Sequence, residues 1–379
     1  MVLHKNLKTW VEINRQAVEH NVALFKERIG KTKLMAVVKS NAYGHGITTF
    51  PKLADKLGVH GFCVDSVYEG KTLRLEGIRK PILVLGYTLP ELFPLAARYN
   101  LAVTISTFEG LKAIGKIKRK SLDLAQDKPR VHLKIDTGMH RQGFSKKDIR
   151  NVIREIKKNE IPVEGIYTHF ASAKDVNYPT YTETQLKNFK AIEELFKKAG
   201  FKNLIRHVAA TGGTLLNKKY HYDWVRVGVG LYGLWPSKEL EIQLGNETML
   251  KPVLSWRAVV SEVKQLKKGE YSGYDMAYRA RRNQTIAVIP IGYWHGIPRS
   301  YGGGKVLVRG KEAPIVGRIS MDVTIVDVSG IPCKVGDIAT IVGKNASKEV
   351  SAFDAAREMG TIHYEFLTRL NPLMERVVV

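Results

Sequence analysis

An apolar run from Leu34 to Val38 leads straight into Lys39, and the chain then breaks into Ser40-Asn41-Ala42-Tyr43-Gly44-His45-Gly46. Lysines usually carry their amine out to water, so one at the end of a buried strand is unusual. A partly desolvated amine there suits Schiff-base chemistry, and the glycines beyond it let a ligand come close to the backbone. The plain alternative is an ordinary strand end. Three further groups sit just past apolar runs in the same way, and a fourth lies at the end of one. Arg141 lies in Lys134-Ile135-Asp136-Thr137-Gly138-Met139-His140-Arg141, and His169 in Tyr167-Thr168-His169-Phe170. Thr211-Gly212-Gly213 and Arg226-Val227-Gly228-Val229 offer a hydroxyl and glycine-flanked amides that could cradle a phosphate. Singly these read as a loop cation, a core histidine and turns. Together they form one layer of chemistry.

The elements that must position this layer are short β-branched runs at 34–38, 61–64, 82–85, 102–105, 131–135, 163–168, 205–209 and 224–227. Stretches with helical spacing lie between them, such as 51–57, 106–117, 145–158 and 182–199. Eight strand-then-helix repeats predict an α/β fold, a (β/α)8 TIM-type barrel over residues 1–240. Such a barrel carries its chemistry just after the strands' C-terminal ends, where Lys39, Arg141, His169 and Thr211 fall, with Arg226 at the eighth strand itself. From 241 to 379 the texture changes to strand-like runs at 252–263, 284–291, 305–308, 313–319, 323–328 and 337–342, then a helix at 351–359. This predicts a second, mostly β domain, with residues 1–14 able to pack against it.

Composition excludes several classes. There are only two cysteines, Cys63 and Cys333, so neither a disulfide framework nor a clustered-cysteine metal site is expected, and no metal is called for. No apolar run reaches membrane-spanning length, and Met1 to Trp10 has no signal-like core; a cytoplasmic protein is the expectation. The net charge is +24, yet the basic residues are spread in pairs such as Lys157-Lys158 and Lys267-Lys268. The densest cluster, Lys116-Ile117-Lys118-Arg119-Lys120, closes a helix, and no aromatic-interleaved stripe accompanies it. Solvated surface is expected rather than nucleic-acid or membrane binding.

The motifs resemble those of the alanine racemase family, in the family's order and over nearly the whole chain. Besides the Lys39 segment they include Asp136-Thr137-Gly138-Met139-His140-Arg141, Tyr167-Thr168-His169-Phe170, Val225-Arg226-Val227-Gly228, Gly273-Tyr274-Asp275-Met276-Ala277-Tyr278, Val316-Gly317-Arg318-Ile319-Ser320-Met321-Asp322 and Gly360-Thr361-Ile362-His363-Tyr364-Glu365. The resemblance implies a pyridoxal 5'-phosphate enzyme that interconverts L- and D-alanine, with Lys39 and Tyr274 as its two catalytic bases. Lys39 would carry the cofactor and Arg226 would face its pyridine nitrogen. His169 would bridge Tyr274 and Arg226, and Arg141 would reach the phenolic oxygen. Tyr43, Thr211, Gly228, Val229 and Tyr364 match phosphate-binding positions. Arg141 and Met321 match substrate contacts, and Lys134 matches a lysine that is often carbamylated. A homodimer with shared sites is implied, Lys39 from one chain working with Tyr274 from the other. D-alanine supply for peptidoglycan is one destination of the product and catabolism another.

Two bases on opposite faces are what racemisation needs: one takes the α-proton and the other returns one. A tyrosine of ordinary pKa, about 10, is a poor base at neutral pH and requires a cationic neighbourhood. The chain departs from the usual pattern at Ala210-Thr211, Ser320, His140 and Trp294-His295, the last beside the expected substrate entrance. Serine or broad-specificity racemisation and a non-catalytic pyridoxal-phosphate carrier are the competing readings. Residues 241–379 weigh against the carrier, which is normally a lone barrel.

Overall fold

In a computed structural model of the chain, residues 6–117, 128–173, 179–246 and 248–379 are described. Two compact units emerge: Ala17–Ser40 with Phe50–Lys251, and Met1–Gln16 with Asn41–Thr49 and Pro252–Val379. This division is not linear. The first strand, β1 (Thr9–Ile13), belongs with the C-terminal strands, and so does the segment after Ser40, which a single boundary at residue 240 would leave in the barrel.

The larger unit is the barrel. Its strands are β2 (Lys33–Val37), β3 (Gly61–Val64), β4 (Ile82–Val84), β5 (Ala102–Ile105), β6 (Arg130–Lys134), β7 (Val163–Tyr167), β8 (Ile205–His207) and β9 (Trp224–Val227). All neighbours pair in parallel in the order β8-β7-β6-β5-β4-β3-β2-β9. One parallel bridge, Ala210 to Arg226, nearly closes the ring between β8 and β9. The strands are apolar on both sides because one face fills the barrel and the other meets the helices. The intervals after β8 and β9 hold only short pieces: a helix at Thr211–Leu216, 3-10 turns at Lys218–Tyr220 and Val229–Tyr232, and a helix at Lys238–Leu244. Of the basic cluster, Lys116 ends the helix Phe108–Lys116, while 118–120 lie outside the described residues.

The second unit is mainly antiparallel. It contains β10 (Leu254–Val259), β11 (Glu262–Leu266), β12 (Tyr271–Ser272), β13 (Tyr278–Arg279), β14 (Gln284–Ile289), β15 (Lys305–Val308), β16 (Lys311–Pro314), β17 (Thr324–Asp327), β18 (Ile338–Asn345), β19 (Lys348–Val350) and β20 (Arg376–Val378). One sheet runs β16-β15-β18-β10-β1-β20, with β19 on β18, and a second runs β11-β14-β17. Two expectations need correction. The run 252–263 is two strands in different sheets. The strand expected at 313–319 instead starts at Lys311, because Arg309 (φ 49°) and Gly310 (φ 73°) make a two-residue hairpin turn that pairs Val308 directly with Lys311. Among the described residues no helix is long and apolar enough to cross a membrane, and no histidine, cysteine or carboxylate group of three could hold a metal.

Candidate active site

Lys39 follows β2, where the sequence places it. The next four residues, Ser40 to Tyr43, all have φ between 51° and 56°, a left-handed turn built without glycine. Each such residue costs roughly 1–2 kcal/mol, so the surroundings must hold the turn. On the barrel side the Glu69 carboxylate does so, accepting from the Ser40 amide at 2.6 Å and the Asp65 amide at 2.7 Å. Beyond it, within the second unit, Arg376 donates to the Gly44 carbonyl at 3.2 and 3.1 Å. The Lys39 side chain is 38% exposed, with Asp65 Oδ1 3.6 Å from Nζ. The desolvated amine of this layer is therefore not Lys39. It is Lys134, the last residue of β6, 6% exposed and pushed down to about 8 by burial and then by the nearby cations Arg141, Arg226 and Lys39.

Arg226 is 3% exposed and stands at the closure of the barrel. Its guanidinium donates to the carbonyls of His207 (2.9 Å), Thr168 (2.8 Å) and Val208 (3.2 Å), and to His207 Nδ1 at 2.6 Å. His169 Nδ1 lies 3.4 Å from Nη2, and the Tyr167 ring lies 5.1 Å from the guanidinium carbon. Among the described residues no carboxylate forms an ion pair with Arg226. A buried cation held by carbonyls and imidazoles leaves its charge available to a ligand. His169 is held at about 3 by burial and by Arg226, Lys134, Arg141 and Lys39, so it is neutral at physiological pH. Its loop is fixed from the helix Thr180–Lys198, where Gln185 donates to the His169 carbonyl and accepts from the Ala171 amide.

Thr211 is buried, and its hydroxyl accepts from the amides of Gly228 (3.2 Å) and Gly230 (3.4 Å). The loops after β8 and β9 are thus tied together at the usual phosphate-binding end of this fold, with Val229 4% exposed beside them. Arg141 is exposed, in a loop shaped by Asp136, whose Oδ1 accepts from the amides of Gly138 and His140. The barrel therefore gathers Lys39, Lys134, Arg141, His169, Thr211, Arg226, Gly228 and Val229 at its strand ends.

The second unit carries the other four expected residues. Tyr43 and Tyr364 pack with ring centroids 6.2 Å apart, and burial, then Tyr43, raise the Tyr364 phenol. Tyr274 is 66% exposed, in a turn where Asp275 (φ 59°) pairs with Arg318. Met321 is also exposed; its carbonyl accepts from the Trp294 amide, and that of Ser320 from Tyr293. His207, His132 and Glu69 belong to no motif that stands out in the sequence. His132 and Lys134 alternate on β6, and two polar residues spaced i, i+2 in an apolar strand are the signal that was available.

Comparison with known proteins decides the matter. The alanine racemase N-terminal domain matches residues 13–236, and the alanine racemase C-terminal domain residues 253–378. The chain belongs to the alanine racemase family. An alanine racemase of Listeria innocua is 38% identical over 99% of both chains, and one of Leptospira interrogans 34% identical over 98% of this chain and 96% of its own. The crystal structure of alanine racemase from E. faecalis superposes with a TM-score of 0.89 at 34% identity, covering 100% of each chain. That from Bacillus anthracis, solved with bound L-Ala-P, gives 0.91 at 32% identity over 98% of this chain and 95% of its own. As an alanine racemase this chain is an isomerase, and the barrel with its β-rich second unit is the family's architecture.

Proposed function

We propose that this racemase uses pyridoxal 5'-phosphate and interconverts L- and D-alanine with Lys39 and Tyr274 as its two bases. The observation that carries the reading is Arg226: a buried guanidinium without a carboxylate partner among the described residues, in the same strand-end layer as Lys39. The donor set fits the cofactor. Lys39, Lys134, Arg141 and Arg226 suit a phenolate and a phosphate, and the Thr211 hydroxyl among glycine amides suits phosphate oxygens. Tyr43, Gly228, Val229 and Tyr364 complete the phosphate site in this reading.

Bound there, pyridoxal phosphate delocalises the electron pair left when the α-proton departs. Lys39 Nζ moves the proton on the face leading to D-alanine, and Tyr274 Oη of the partner subunit on the other. His169 accepts from Arg226 at Nδ1, so its own proton lies on Nε2, assigned by the hydrogen bond. That N–H is a donor suited to a phenolate, which is how a neutral imidazole makes a tyrosine a better base. Arg226 keeps its proton, and as the group facing the pyridine nitrogen it would disfavour protonation there, weakening the electron sink and so suppressing side reactions. Arg141 and Met321 bind the substrate. The Lys134 amine attacks carbon dioxide to form an N–C bond with loss of one proton, and the cations around it favour the carbamate anion.

L-Alanine incubated with the protein and pyridoxal phosphate should drift toward equal L and D, while Lys39→Ala leaves it unchanged. Alanine that stays chirally pure while L-serine racemises would move the substrate assignment. If every amino acid stays pure, the carrier reading takes over.

A further inference from the structure

A hydrogen-bonded chain runs away from Arg226 through the interior of the barrel. Arg226 Nη1 donates to His207 Nδ1 at 2.6 Å, and His207 Nε2 lies 2.9 Å from His132 Nδ1. His132 Nε2 lies 3.2 Å from Glu164 Oε2, and the other oxygen of Glu164 accepts from Arg130 at 2.9 Å. Both histidines are fully buried. Burial holds both in the neutral form, with Arg226 adding to the effect on His207.

The ends of this chain fix its direction. A guanidinium can only donate and a carboxylate can only accept. His207 must therefore present a bare Nδ1 to Arg226 and carry its proton on Nε2. That proton points at His132 Nδ1, so His132 carries its own on Nε2, aimed at Glu164. Reversing either ring would set two donors or two acceptors against each other between two fully buried side chains. The rings cannot swing to escape: Tyr167 stacks on His207 at 4.7 Å and 9°, and Trp224 stacks on His132 at 5.6 Å and 29°.

We propose that Glu164, acting through His132 and His207, orients the Arg226 guanidinium, so that a carboxylate two residues into β7 is a positioning residue for the reaction. The proposal rests on the reading of Arg226 as the group facing the cofactor ring. A carboxylate bound directly to Arg226 would occupy the N–H groups meant for the ligand. Placed two imidazoles away, it supplies the acceptor that orders the chain, while both Nη groups stay on protein acceptors and Nε is left for the ligand.

The test is nitrogen-15 solid-state NMR of the full-length, histidine-labelled protein, with and without pyridoxal phosphate. His207 and His132 should both be neutral with the proton on Nε2. A proton on Nδ1 of either, or a cationic ring at neutral pH, overturns the proposal. Glu164→Gln keeps an acceptor and should hold the tautomers and the cofactor affinity. Glu164→Leu removes it, and should give mixed His132 tautomers and kcat lower by about 10–100-fold with KM little changed, the size outer-sphere partners carry. A folded Glu164→Leu protein with wild-type tautomers, cofactor affinity and kcat also overturns it. If that variant fails to fold, the wild-type tautomers decide. Correct tautomers without racemisation in any form would sink the functional reading and leave the relay standing.

Discussion

Lys134 sits where a lysine costs stability. Its folded-state value of about 8 lies below the ordinary 10.5, chiefly through burial. Between those two values the unfolded chain holds a proton that the folded chain has released, so stability rises with pH across that window and is level below it. The penalty at neutral pH is roughly 3 kcal/mol. Lys134→Met should therefore stabilise the protein at pH 7 in carbonate-free buffer by up to about 3 kcal/mol in urea unfolding, and the gain should fade as pH climbs past 8. Labelled bicarbonate should give a carbamate carbon signal in the native protein that the same substitution abolishes. Tyr274→Phe tests the division of labour between faces. Racemisation should fall by about 10²–10⁴-fold. In heavy water D-alanine should still exchange its α-proton through Lys39, while L-alanine should not. Equal loss on both isomers would contradict the assignment.

At the scale of elements, the turn from Ser40 to Tyr43 is the boldest piece of local structure. It leads to Gly44, where an added Cβ would lie 2.0 Å from the Leu367 carbonyl oxygen and φ is +84°. Gly44→Ala meets both a clash with backbone and a disfavoured conformation, and a loss of at least about 3 kcal/mol is expected in thermal or urea unfolding. The barrel strands were legible because runs such as Leu34–Val38 and Trp224–Val227 are buried on both faces, and that pattern survives in sequence alone. The left-handed turn was not legible, since Ser40-Asn41-Ala42-Tyr43 contains no glycine to announce it. At Arg309-Gly310-Lys311 the glycine marks a turn in the sequence, but an arginine in the left-handed conformation gives no local sign that Lys311 already pairs with Val308. The strand-end residues were found because they follow apolar runs. His207 and His132 were hidden because they lie within such runs, where a histidine reads as core. The partial exposure of Lys39 was not legible: Asp65, 26 positions later in the chain, lies beside its amine, and no local pattern records that approach.

For the whole molecule, the proposed sharing of sites between two chains can be tested by counting. Tyr274, Met276, Trp294 and Met321 are all more than half exposed; a backbone bond joins Trp294 to Met321, and Asp275, between Tyr274 and Met276, pairs with Arg318. Grouped apolar exposure of this kind is what a self-complementary interface covers. Lys39→Ala and Tyr274→Phe proteins, each inactive, should regain activity when mixed and allowed to exchange subunits. Random exchange puts half the chains into mixed dimers with one intact site each, so about one quarter of native activity should return. Proven exchange with no recovery would mean that both bases come from one chain.

The sheet that contains β1 has a consequence for how the protein is made. Glu12 on β1 pairs with Arg257 on β10, 245 positions later, and β1 also takes β20 as its parallel neighbour. A ribosome adding about 5–20 residues each second would leave β1 with both backbone edges bare for tens of seconds after it emerges. All the barrel strands are synthesised within that interval. The earliest ordered strand of the chain is thus among the last to find its place, and nascent protein should be most prone to sticking to its own kind at that stage.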